Sequence, residues 1–104
     1  MVFAVIRQQG PTWDPTRGMR EQRGWAEHAE FMDELDREGF VVLGGPLAVG
    51  EDGRHRALLI IEADSEEDVR DRLGDDPWPA ELLTIAAVHP WELVLGAWRP
   101  RRAA

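Results

Sequence analysis

The chain has 104 residues, 43% of them apolar, a formal net charge of −8 and no cysteine. That length suits one domain with a small core, and the acidic balance argues against nucleic acid and against an anionic membrane surface as partners. The missing cysteine removes disulfides and thiol chemistry and suits the cytoplasm.

No run of about 18 apolar residues marks a membrane span, and no charged segment followed by an apolar one marks a secretion signal. Lys, Tyr and Asn are absent, so all 12 Lys and Arg positions are Arg, and Ser65 is the sole serine. Schiff-base and cysteine catalysis are therefore excluded. What remains is acid–base work by His, Asp and Glu, with Arg to clamp anions.

Residues 2–6 are apolar at both parities and predict a strand covered on both faces. Residues 10–20 carry Gly, Pro, Asp and Thr and predict a long loop bearing Trp13. Residues 21–38 predict an amphipathic helix stopped by Gly39. Within it Trp25, Ala29, Met32 and Leu35 form an apolar stripe, and His28 falls inside that stripe rather than on the Glu-rich face. A polar ring aimed inward needs a partner, a cavity or a ligand.

Residues 40–43 predict a second strand, closed by a turn at Gly44, Gly45 and Pro46. Residues 50–53 signal another turn. Residues 57–61 predict a third strand, again apolar on both faces. Ser65 caps a second helix whose first turn is acidic and whose end is Gly74. The segment Asp75, Asp76, Pro77, Trp78, Pro79 is a turn leading toward one short helical turn. Residues 82–88 predict a fourth strand. Pro90 interrupts it, so residues 91–96 form either an edge extension or a separate strand. One domain spans residues 1–98, and residues 99–104 form a flexible basic tail.

The order βαββαβ suits an α+β, ferredoxin-like sandwich: an antiparallel sheet with both helices on one face and the first and third strands central. Those central strands are apolar on both faces, so the uncovered face needs a cover. A second copy of the chain, sheet on sheet, is the simplest one.

His28, Gly39, Gly45-Pro46, Ser65, Asp76-Pro77 and residues 88–91 together resemble the YciI-like (YCII-related) family, a branch of the dimeric α+β barrel proteins. The resemblance runs from Val2 to about Trp91 and rests on order and spacing rather than on one motif. It implies a ferredoxin-like fold, a homodimer and a pocket built around a His–Asp dyad, which map to His28 and Asp76. One activity related to the family eliminates chloride from a hydroxylated aromatic. Residues 10–14 and the loop after them look like those of an extended subgroup.

His28 is the leading candidate for catalysis, because an imidazole exchanges protons near neutral pH and a carboxylate beside it fixes its tautomer. Its bland alternative is a buried ring bonded to a backbone carbonyl. Asp76 either supplies that carboxylate or caps the turn that follows, and Asp75 is the alternative inward-facing acid. Trp13 is either a lid over His28 or a plug against the first helix, and Trp78 has the same two readings. Trp25 joins them as a candidate ligand contact. Gly45 and Pro46 either shape a turn or let backbone approach a ligand. Ser65 is first a helix cap and second a ligand contact. His55 reads as solvated or as an anion contact. The histidines lack ligand spacing, so no metal is expected, nor a phosphate loop or other cofactor.

Three functions compete. The first is a small cofactor-independent enzyme in which His28 and Asp76 perform acid–base chemistry, an isomerisation or elimination, on a small cyclic oxygenated substrate. The second is a non-catalytic small-molecule-binding or accessory domain. The third is a structural dimerisation module.

Overall fold

The structure, a computed structural model, describes residues 1–96. The expected tail at 99–104, and the last two residues of the expected domain, lie outside them. Six elements follow in the order β1 (Val2–Gln9), α1 (Trp25–Arg37), β2 (Val41–Pro46), β3 (Arg56–Glu62), α2 (Glu66–Gly74) and β4 (Leu83–Pro90). The strands form one antiparallel sheet in the order β2-β3-β1-β4. The two most apolar strands are thus central, and the α+β ferredoxin-like architecture follows.

Strand alternation divides the sheet into two faces. Phe3 and Val5 pair with Ile61 and Leu59 and pack with Leu35, Val69 and Leu73 of the helices in the main core. Ala4 and Ile6 pair with Ile60 and Leu58 on the other face, which neither helix covers. A second cluster of Trp13, Trp78, Leu82 and Leu83, with Met19 and Trp25 against it, fills the end of the sandwich where β1 ends and β4 begins. The β1·β4 register shifts between Ile6 and Arg7, leaving Ala86 as the extra residue. Such a bulge re-aims nearby side chains.

Helix α1 starts at Trp25 rather than at residue 21. Gly24 before it has φ 80°, a left-handed conformation that closes the helix off. Upstream, Met19–Glu21 make a short 3-10 turn. The buried Gln22 side chain donates to the carbonyls of Asp14 (2.8 Å) and Arg17 (3.0 Å) and accepts from the Asp14 N–H. Gln22 therefore ties down the long loop instead of extending the helix.

Gly44, Gly45 and Pro46 form no turn. They continue β2 and pair with Leu59, Leu58 and Ala57. β2 is an edge strand, where proline is tolerated because its missing N–H faces away from the ladder. Pro90 ends β4 rather than interrupting it, and residues 91–96 form neither an edge extension nor a separate strand. Gly74 closes α2 without a left-handed turn, and Asp75 after it is still in the right-handed helical region.

Candidate active site

His28 lies on the first turn of α1, its N–H donating to the Gly24 carbonyl at 3.1 Å. Its Nδ1 meets both oxygens of Asp76, at 2.9 Å (Oδ1) and 2.8 Å (Oδ2). Both residues are buried. Asp75 is exposed, so Asp76 is the acid that turns inward. The turn itself aims it: the Trp78 N–H donates to Oδ1 at 2.8 Å, closing an Asx-type turn over Pro77. One carboxylate thus both caps the turn and bonds the imidazole, because it has enough lone pairs for each.

A third donor completes the carboxylate. Arg7 Nη1 meets Oδ2 at 2.6 Å, and Nη2 donates to the Leu83 carbonyl at 3.1 Å. Burial alone would push the Asp76 carboxyl up. The hydrogen bonds from His28, the Trp78 N–H and Arg7 outweigh it and hold the carboxyl below its ordinary value. Asp76 is therefore ionised at neutral pH, and Nδ1 of His28 carries a proton. Nε2 is the ring nitrogen left to face a ligand.

The indole of Trp78 stacks flat on the imidazole, with centroids 3.9 Å apart and planes at 8°. Its Nε1 donates to the Arg23 carbonyl at 2.7 Å, just before α1 begins. Trp13 stands edge-on to Trp78 and stacks on His55 at 4.5 Å. His55 is accordingly half-buried rather than solvated. Burial, and then repulsion from the His28 ring whenever that ring is protonated, push its imidazole below the ordinary value.

A cavity of about 430 Å³ opens beside the dyad. Trp25, His28 and Met32 of α1 line it, with Arg7 and Leu59 from the sheet. Gly45 and Pro46 line the edge-strand side, and Met19 closes it from the long loop. Its walls are mainly apolar, so a ligand ring would be held by contact and oriented by His28.

The structure thus brings His28, Trp25, Gly45 and Pro46 to one cavity, with Asp76 and Trp78 packed behind the imidazole. Trp13 is not the lid: it sits behind Trp78, among apolar neighbours that bury it better. Ser65 is not at the cavity either. Its Oγ accepts the Asp68 N–H at 3.1 Å and caps α2. Two residues escaped the sequence reading, Arg7 and Gln22. Arg7 had a weak signal: it is a charge closing a strand apolar on both faces, though alternation does not say which way it turns. Gln22 had none, since its role depends on how the loop folds back.

Among the described residues, no group of three or more His, Cys, Asp or Glu gathers to hold a metal. No described helix is long and apolar enough to cross a membrane.

No curated protein matches the chain significantly. Among solved structures, the chain is similar to the 5-chloro-2-hydroxyhydroquinone dehydrochlorinase of Burkholderia phenoliruptrix AC1100, solved in complex with 2,5-dihydroxybenzoquinone. The two share 27% identity over 88% of this chain and 94% of that one, with a TM-score of 0.61. The family model of the YCII-related domain matches residues 1–92. With the fold and that match in agreement, the chain belongs to the YCII-related domain family.

Proposed function

We propose that this protein is a small enzyme that moves a proton on a cyclic, oxygenated substrate, by elimination or isomerisation and without a cofactor. His28 Nε2 accepts the proton while Asp76 holds Nδ1–H and stabilises the imidazolium that forms. In an elimination, the electron pair released by that proton transfer expels a leaving group from the neighbouring carbon. In an isomerisation, His28 returns the proton at a second position. The observation that carries this reading is one imidazole, oriented by a buried ionised carboxylate, set in the wall of a mainly apolar cavity. The quinone bound by the similar dehydrochlorinase supports a planar oxygenated ring as the substrate class.

Hydroxylated and halogenated aromatics form the test panel, followed by product analysis and halide release. We expect turnover of at least one member, falling by about 10²–10⁴-fold in His28→Ala. Undiminished turnover in that variant removes the mechanism. Compounds that bind and leave unchanged would instead favour the ligand-binding or accessory reading.

We also propose a homodimer through the sheet face opposite the helices. Ala4, Ile6, Leu58 and Ile60 give that face its apolar character, and a second copy offers a matching surface.

A further inference from the structure

We propose that Arg7 is a positioning residue of this site, acting through Asp76 to keep His28 in the neutral form that accepts a proton. This deepens the proton-transfer reading above and rests on it for its meaning in catalysis. Its test needs no substrate, so the two can fail separately.

Arg7 is poorly explained as a stabilising residue. It is 4% exposed, on a central strand, at a position whose inward neighbours are Phe3 and Val5. Its Nε is buried with no hydrogen-bond partner. A buried ion pair is commonly matched in stability by apolar side chains of similar size, and an orphaned donor adds a cost. The residue makes more sense as a fixed charge.

The geometry says where that charge acts. Arg7 Nη1 and His28 Nδ1 converge on the same oxygen, Oδ2 of Asp76. A His–Asp pair alone favours an imidazolium, since the two charges cancel. Here Arg7 already balances the carboxylate. A second proton on His28 would give the buried cluster a net positive charge, which opposes its uptake. When substrate gives up its proton, the anion left behind balances the new imidazolium. The cluster then favours an imidazolium paired with the substrate anion over one formed without substrate.

The other groups around His28 do not replace this effect. From β2 and β3 the cavity wall holds Leu43, Gly44, Gly45, Pro46, Ala57 and Leu59, none of them titratable, along with Val41. On α1, Asp33 and Asp36 lie further along the same wall. His55 lies beyond Trp13 and Trp78. Arg20 stands over Trp25, 5.8 Å from its ring. The uncharged Trp78 N–H shares Oδ1 with the imidazole, and among the charged groups described it is Arg7 that shares an oxygen with it, Oδ2.

The experiment is a pH titration of the full-length protein with 15N-labelled histidine, followed by NMR, with His28 assigned through His28→Ala. In Arg7→Met, the pH at which His28 takes its second proton should rise by about one unit. At a given pH above that midpoint, this is roughly tenfold more imidazolium. Arg7→Lys keeps the charge and should leave the titration near that of the unmodified protein. Exposed His89 should not move in either variant. A folded Arg7→Met protein with an unchanged His28 titration overturns the proposal, because a purely structural Arg7 would alter only the melting temperature. Should Arg7→Met fail to fold, Arg7→Gln takes its place: it keeps a donor for Asp76 without the charge, and the same shift or its absence decides.

Discussion

Asp76 is the point where three donors from three parts of the chain converge: Arg7 of β1, His28 of α1 and the N–H of Trp78. Replacing it by Asn leaves the Arg7 guanidinium buried without a counter-charge. We expect a loss of about 3–5 kcal/mol, read from urea unfolding. The pH dependence should change as well. Asp76 is held below the ordinary 3.8, so the unfolded chain binds its proton first as the pH falls. Its contribution to stability is therefore complete above 3.8 and is lost as the pH drops through the lower folded value. Asp76→Asn should lack that part of the acid-induced fall, so its unfolding midpoint should converge on that of the unmodified protein at low pH. His28 was legible from sequence by its place in an apolar stripe, whereas the turn left two candidate acids, Asp75 and Asp76, and the family resemblance pointed to the second. Arg7 was legible only as a charge closing a strand apolar at both parities, which names neither its inward turn nor its partner.

At the scale of elements, the connection between β1 and α1 does more than link them. Gln22 folds it against its own backbone, and Trp13 and Met19 bring it into the second core cluster. Gly10 seats it on the turn before β4: its N–H donates to the Leu82 carbonyl at 2.8 Å, and a Cβ there would overlap the Glu81 carbonyl oxygen. The obstacle is backbone, which cannot rotate away. Gly10→Ala should thus cost about 1–3 kcal/mol, measured as a lowered melting temperature. The same displacement should disturb the stack of Trp78 on His28, visible as a change in tryptophan fluorescence. Strands and helices were readable from their apolar periods, but the ends were not. Gly24 and Gln22 stop α1 short through a left-handed residue and a side-chain tie. Gly44 to Pro46 resemble a turn by composition, yet pair as an edge strand because β3 offers a free ladder beside them.

For the whole molecule, helices on one sheet face leave the apolar residues of the other to be covered, and the proposed dimer answers that need. Light scattering should give twice the mass of the chain at micromolar concentration. Ile6→Glu, which puts a charge on that face, should give a folded monomer. A stable monomer before any substitution would remove the proposed interface.

The sequence by itself determined the order of elements, the apolar stripe of the first helix and the apolar character of the central strands on both faces, and hence the ferredoxin-like class. Those properties are written in periods of two and of 3.6 residues, which local stretches carry in full. Only the tertiary structure decided what meets at the site. His28 and Asp76 are 48 positions apart, and Arg7 and Asp76 are 69. No local period encodes contacts at such separations. They arise when two central strands, a helix start and a tight turn pack around one carboxylate, and burial then forces every charge there to find its partner.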